Sequence, residues 1–427
     1  MNSRVVITGM GVVAPKATGK EKFLKVLKEG ISGIEFIPEL KELNFGCHVG
    51  GIPDITDSKY NELLAYYGLT GESQSIQFGC MAGLEAWEDA ALKIPDYDST
   101  EVDYETGVIA GTGIGSMDLT GKVLIPNIDS GSVNKLRSTI VEQLMISGTS
   151  SQLSGMLALG NLCMSNSNAC STGTDAIIMG YERIKSGGAY KMLVGGTDGY
   201  SPYYWSFFDN MRLLTRDFND QPQSASRPMS ASSSGFVPSA GAGMLLLENL
   251  ESANERGAKI YAEIIGASYN SGGQRNGGSM TAPSSEGVEQ CIAAAISNSG
   301  IKPQEIDIIA GHLTSTKADA MEVKNWISVL RLNRSSFPFI NSLKSILGHS
   351  LGASGAIETI AAVLEITENF VHPSINCADL NPDISTLLDE RTIPHTLIEN
   401  VEINCIAKAS FGFGDVNSCL IIKAIES

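Results

Sequence analysis

Twice along its length this chain runs through the same succession of short apolar strands, helices and glycine turns, and that repetition narrows the fold choices sharply. In the first pass, residues 5–13 read as a strand and turn. Residues 75–92 carry Ile76, Cys80, Leu84, Trp87 and Ala91 at helical spacing. Gly107–Ala110 is a short buried strand, ended by the glycine-rich run Gly111–Gly115. Cys170–Lys185 reads as a helix, and Met192–Gly196 as another buried strand. The second pass has strand 260–267, helix 287–299, strand 306–310, helix 350–364 and strand 405–413 with its glycine turn. Strands that alternate with helices predict an α/β fold around a mostly parallel sheet. The two passes meet near residues 250–255 and predict an internal duplication, with halves 1–253 and 254–427 in one compact body.

The chain has 427 residues, enough for one large α/β unit or two to three ordinary domains. Its formal net charge of −17 argues against broad nucleic-acid binding but leaves room for a local basic patch facing an acidic partner. Eight cysteines are scattered, with no CxxC pair and no Cys/His set at zinc spacing, so no metal site is expected. Such usage fits a reducing cytoplasm. The apolar run Val5–Ile7 is too short for a signal peptide, and no stretch reaches membrane-spanning length. Segment 221–242 is rich in Ser, Pro and Gly and reads as a long functional loop.

Chemistry concentrates at four places. Ser167-Asn168-Ala169-Cys170-Ser171-Thr172-Gly173 delivers one thiol to a helix start, where the positive end of the helix dipole is expected to favour the thiolate, the nucleophilic form. His312 follows a buried strand in Gly311-His312-Leu313-Thr314-Ser315-Thr316. His349 lies in Lys344-Ser345-Ile346-Leu347-Gly348-His349, just before a helix of small residues that permits close backbone packing. Ser410-Phe411-Gly412-Phe413-Gly414 puts a backbone N–H on a glycine turn at a strand end.

In this order, the motifs make the chain resemble the β-ketoacyl-acyl carrier protein synthases, specifically the elongating, type II-like condensing enzymes of the thiolase superfamily. The resemblance runs end to end. It includes Arg4–Gly11, Gly113-Ile114-Gly115, Ala169–Gly173, Gly195-Gly196-Thr197-Asp198, Ser226-Arg227-Pro228, Gly235-Phe236-Val237 and Gly241-Ala242-Gly243. It implies a thiolase-like fold of two duplicated α/β halves in five layers, αβαβα. The implied activity is a decarboxylative condensation of an acyl-Cys170 thioester with a malonyl-carrier, in fatty-acid or polyketide and polyene-type elongation.

The resemblance also implies residue roles. Cys170, His312, His349 and Lys344 form the catalytic set, and the N–H groups of Cys170 and Phe413 form the oxyanion hole. Glu322, with Asp319 nearby, is the expected carboxylate partner of Lys344, since an unpaired buried lysine is costly. Thr314, Thr316 and Thr281 are expected on the phosphopantetheine arm. Ile114, Phe208 and Phe413 are expected in the acyl pocket, with Phe413 as gate. Arg212 is expected to dock the acidic acyl carrier protein. No cofactor is implied beyond the arm that the carrier brings, and the expected assembly is a homodimer, with Ser138-Thr139-Ile140 in its interface region, or a heterodimer with a ketosynthase-like subunit.

Four departures from the family pattern carry their own expectations. Residues 229–234 hold no charge, so an acidic residue that organises the site interior is expected to be missing. Leu313 replaces a glycine and should narrow the mouth. The loop after Thr316 is one residue shorter, and Asp209 stands in place of a glycine. Together these suggest a specialised condensing enzyme of polyene or aromatic lipid assembly. Thiolases use a second, late cysteine where this chain has Phe413, chain-initiating synthases pair Cys with His and Asn, and papain-like hydrolases carry a signature absent here. A chain-length-factor-type partner without condensing activity is the alternative reading, and such partners typically lose the nucleophile.

Overall fold

A computed structural model describes residues 3–69, 73–96 and 98–425. The first half contributes β1 (Val5–Ala14), α1 (Gln74–Asp89), β2 (Thr106–Gly111), α2 (Gly148–Met156), β3 (Cys163–Met164), α3 (Thr172–Lys185), β4 (Lys191–Asp198) and β5 (Gly241–Asn249). The second half repeats them as β6 (Ala262–Ser271), α4 (Ser285–Ser299), β7 (Ile308–Ala310), α5 (Ala318–Leu330), β8 (Phe339–Asn341), α6 (Ser354–Glu368), β9 (Cys405–Gly412) and β10 (Val416–Lys423).

The strand order is β8-β7-β9-β10-β6 for one half and β1-β5-β4-β2-β3 for the other, joined edge to edge where Val5–Ile7 of β1 pair with Ala262–Ile264 of β6. Each half therefore has the same topology. The sheet is mixed rather than mostly parallel. Within each half three strands run parallel (β2, β3 and β4; β7, β8 and β9), because helices cross between them. The last strand of each half returns antiparallel without a crossover helix, β10 directly from the turn at 413–415.

Strand alternation distributes the core. Val194, Leu245, Leu247, Ile308, Leu420 and Ile422 face an inner cluster with Ile177, Ile178, Ile357 and Ile360 of α3 and α6. Leu193, Met244 and Leu246 face the opposite way, against Phe78, Leu84, Trp87 and Leu153 of α1 and α2. Ile309, Ala407 and Ile421 face Val288, Ile292, Val323 and Trp326 of α4 and α5. This gives five layers: α1/α2, sheet, α3/α6, sheet, α4/α5. Both inner helices are buried against sheets, and their contact depends on small residues. A Cβ on Gly173 would lie 2.8 Å from Ala356 N, and one on Gly355 2.7 Å from Thr174 N.

Helix starts differ from the sequence expectation where a side chain or tight turn intervenes. α4 begins two residues early because Ser284 Oγ accepts the Gly287 N–H at 3.1 Å. The helices expected from Cys170 and Ser350 open with 3-10 turns, Ala169–Ser171 and Leu351–Ala353. No helix among the described residues is long and apolar enough to cross a membrane.

Candidate active site

The α3 and α6 starts face one another at the centre of the molecule, and β7 and β9 end beside them. Cys170 Sγ and a ring nitrogen from each of His312 and His349 lie within 4.8 Å of one another. Among the described residues this is the one His/Cys/carboxylate group compact enough to hold a metal ion. The two imidazoles meet edge to face, with centroids 5.4 Å apart and planes at 83°.

Backbone strain sits beside each of these side chains. Ala169 precedes Cys170 at φ 48°, Ser315 follows His312 at φ 66°, and Leu351 follows His349 at φ 52°. Left-handed backbone at non-glycine residues persists only where surrounding contacts enforce it. Those contacts are present. Glu322 accepts the His312 and Leu313 N–H groups, both at 2.7 Å. Asp319 accepts the N–H groups of Thr314 at 2.8 Å, Ser315 at 3.1 Å and Met229 at 2.9 Å. The His349 N–H donates to Val237 O at 2.8 Å, and its carbonyl accepts from Ser239 N at 2.9 Å. Asp198, at the end of β4, accepts from Thr112 Oγ1 at 2.8 Å and Gly352 N at 2.6 Å, so the His349 loop is tied to the Gly111–Gly115 run.

Hydrogen bonds fix both tautomers. His349 Nδ1 accepts the Leu351 N–H at 3.1 Å, and His312 Nδ1 faces the Lys344 ammonium at 3.5 Å. Both partners can only donate, so each Nδ1 is an acceptor and each proton resides on Nε2. Burial, and then the positive charge of Lys344, hold both imidazoles well below their ordinary pKa. The site therefore presents two neutral Nε2–H donors.

The thiol departs from the sequence expectation. Burial pushes Cys170 up to about 12, against the opposing pull of Lys344. Cys170 sits within the 3-10 turn that precedes α3, and desolvation outweighs the helix dipole, so the resting group is a thiol. The end of β9 packs against its backbone: a Cβ on Gly412 would sit 3.2 Å from Cys170 N, which brings the following residue, Phe413, to the same spot.

Lys344 also has a different partner from the one expected. Its Nζ bonds Glu358 Oε1 on α6, with the two side chains 2% and 5% exposed. Glu322 is committed to the loop backbone instead, and burial raises it to about 7. A sequence pattern could place Glu322 near the site but could not show that its lone pairs were already used.

A cavity of about 150 Å³ opens onto Cys170 and both histidines. Thr281, Thr314, Thr316, Phe208 and Phe413 line it, as expected, together with Phe236, Met321 and Asn325. Two expected residues do not. Leu313 is 1% exposed and packs in the α4/α5 core, with its N–H donated to Glu322. Ile114 is 39% exposed and lies outside the cavity lining. Asp209 accepts the Gly46 and Cys47 N–H groups, both at 3.0 Å, which is a structural use of that departure.

The serines of loop 229–234 bind a carboxylate from elsewhere in the chain, but it is exposed and outside the cavity. Asp379 accepts from Ser230 Oγ at 2.6 Å, Ser232 Oγ at 2.5 Å and Arg227 Nη2 at 3.1 Å, and these donors hold it well below the usual carboxylate range despite some burial. Arg212, Arg275 and Lys317 are exposed on the loops that bring Leu213, Thr281 and Thr316 to the cavity.

Two family models match this chain: the N-terminal domain of beta-ketoacyl synthase over residues 2–253 and the C-terminal domain over residues 261–378. The 3-oxoacyl-[acyl-carrier-protein] synthase 2 of Vibrio harveyi is 34% identical over 99% of both chains. The 3-oxoacyl-[acyl-carrier-protein] synthase 1 of Escherichia coli is 31% identical over 99% of each. A type II polyketide ketosynthase solved with its acyl-carrier protein and bound to the hexaketide superimposes at TM-score 0.87, with 28% identity and full coverage of both chains. The ishigamide ketosynthase/chain length factor superimposes at 0.88, with 27% identity and full coverage.

Proposed function

The chain belongs to the beta-ketoacyl synthase family, and from that premise we propose how its own residues divide the condensation of an acyl group with a malonyl-carrier. Cys170 Sγ attacks the acyl-carrier thioester. The new bond is acyl-Cys170, the carrier sulfur leaves, and the thiol proton ends on the carrier thiol. Malonyl-carrier then binds with its thioester carbonyl between the Nε2–H groups of His312 and His349. Its bond to the carboxylate breaks, carbon dioxide departs, and the electron pair becomes an enolate held by the two donors. The enolate carbon attacks the acyl carbon. The N–H groups of Cys170 and Phe413 hold the tetrahedral oxyanion until the C–S bond breaks, and Cys170 takes up a proton as it returns to the thiol.

The observation that carries this reading is the pair of neutral Nε2–H donors converging beside one thiol. An Nδ1–H tautomer would leave Nε2 as an acceptor and could not donate to the carbonyl oxygen, and a charged imidazolium would stand unpaired beside the Lys344 ammonium. Lys344 fixes the tautomer of His312, and Glu358 neutralises Lys344. The threonines at 281, 314 and 316 serve the phosphopantetheine arm, and Phe208 and Phe413 border the acyl chain. The reaction uses no resident cofactor, because the arm arrives with the acyl carrier protein.

On a chain of net charge −17, the exposed Arg212, Arg275 and Lys317 form the local basic rim that would steer an acidic carrier. The face a homodimer would bury is the one beside edge strand β3, where the exposed Ile146 stands near Gly115 and Ser165–Ser167. A silent partner subunit is disfavoured by the complete Cys170, His312 and His349 set.

Purified protein given malonyl- and acyl-carriers should release carbon dioxide and form β-ketoacyl-carrier, with the acyl group found on Cys170 by intact mass. Cys170→Ala should lose the adduct and slow condensation about 10³-fold or more. An adduct that persists in this variant would place the nucleophile elsewhere, and a folded protein inactive with short and long acyl donors alike would end the reading.

A further inference from the structure

Lys408 lies on β9, five residues before Phe413, and the roles assigned above make no use of it. Its side chain is 0% exposed. Its Nζ stands 2.9 Å from Glu358 Oε2, while Lys344 bonds the other oxygen of the same carboxylate. It also donates to Ala409 O at 2.7 Å, to Thr174 Oγ1 on α3 at 3.4 Å, and to Ser410 Oγ. Thr174 Oγ1 and Ser410 Oγ are themselves 2.8 Å apart. Two buried ammonium groups thus share one buried carboxylate directly behind the catalytic side chains, and the second one also joins the nucleophile helix to the strand that carries Phe413.

Two lysines on a single carboxylate is an expensive arrangement if Glu358 needed only one partner, since each buried cation carries its own desolvation penalty. It has a use if the site needs excess positive charge. We propose that Lys408 is a positioning residue of the condensation: with Lys344 it places positive charge behind the imidazoles, which keeps His312 and His349 as neutral Nε2–H donors in mildly acidic conditions. This inference rests on the ketosynthase reading above and deepens it.

Burial lowers Lys408 below its ordinary value, and the charged groups facing it pull in both directions. Glu358 on α6 and Glu322 on α5 support its charge, and Lys344 opposes it. Asp175 on α3 and Cys419 on β10 both feel it. The positive charge of Lys408 is among the causes that lower both histidines.

The test is carbon dioxide release from malonyl-carrier without an acyl donor, by wild type, Lys408→Met and Lys408→Gln, between about pH 5 and 9. Both variants should lose rate from a pH about one unit higher than wild type, the usual size of one nearby charge, while their rates near the top of the range stay within about tenfold. Gln keeps the polar contacts to Ser410 and Glu358 without the charge. A normal profile for Gln beside a shifted one for Met would therefore assign Lys408 to hydrogen bonding and overturn the proposal. An unmoved acid limb in folded variants would overturn it as well, and so would failure of both variants to fold, which would make Lys408 a residue of the fold alone. Absence of carbon dioxide release by wild type would instead remove the ketosynthase reading, so the two failures are distinguishable.

Discussion

The two halves use one backbone device for two different side chains. Before α3, a left-handed Ala169 and a 3-10 turn present Cys170. Before α6, Gly348 and a left-handed Leu351 in a 3-10 turn flank His349. Both turns lead into buried inner helices that pack on each other through Gly173, Gly352 and Gly355. The electrostatics are not shared equally. The second half supplies His312, Lys344, Glu358, Lys408, Glu322 and Asp319, while the first half offers the thiol a dry setting with Asp198 tied up by backbone N–H groups. The comparison teaches that one repeated geometry holds different groups: the first half carries the thiol, and the second carries both imidazoles and the lysines behind them.

The strongest way to break that division is to remove one imidazole. His312→Ala or His349→Ala should slow malonyl decarboxylation about 10²–10³-fold, the usual effect of losing one oxyanion donor. Acylation of Cys170, followed by intact mass, should survive in both variants. Loss of acylation to the same extent would show that the halves do not divide the work.

A second test concerns the acidic side of the pH range. In the folded protein both histidines are held neutral, chiefly by burial and then by Lys344. Below about pH 6.5 these imidazoles take up protons in the unfolded chain that they refuse in the folded one, so their own contribution to stability should fall as pH falls, by up to about 1.4 kcal/mol per pH unit for each. Denaturant unfolding between about pH 5 and 7.5 measures this slope. Glu322, raised to about 7, and Glu365, raised to about 8, take up protons in the folded state over this range and pull the other way, so the slope is compared with that of His312→Gln and His349→Gln. A slope that these substitutions leave unchanged would mean that the second half does not hold its imidazoles neutral.

The smallest expected effect probes the seam between the halves. Gly173→Ala places a methyl 2.8 Å from Ala356 N, where backbone rather than a flexible side chain must give way. It should cost about 1–3 kcal/mol, read as a lower Tm, with part of the activity lost because both catalytic turns rest on this contact. A Tm equal to wild type would show that the inner helices have slack.

Much of the molecule was legible in its residues. Alternating strand and helix signals reported the duplication because apolar periodicity is a local property of the chain. The motifs around Cys170, His312, His349 and Phe413 marked loops that the fold does bring together. Glu358 and Lys408 escaped notice because each sits inside an ordinary apolar stretch, Ala356–Ile360 and Cys405–Ala409, where one charged residue reads as solvated. Their pairing spans 50 positions and exists only after β9 and α6 pack. Asp379 escaped for the same reason: it reaches Ser230 and Ser232 from a distant loop.

By itself, then, the sequence determined the repeated α/β pattern, the family and the cysteine and histidine loops that converge on one cavity, because these depend on residue type and short-range spacing. Only the tertiary structure decided the state of those side chains. Whether Cys170 rests as thiol or thiolate, which nitrogen of each imidazole holds its proton, and which carboxylate answers Lys344 all depend on burial and on partners far away in the chain. Desolvation and hydrogen-bond geometry arise when the layers close, and local sequence does not encode them.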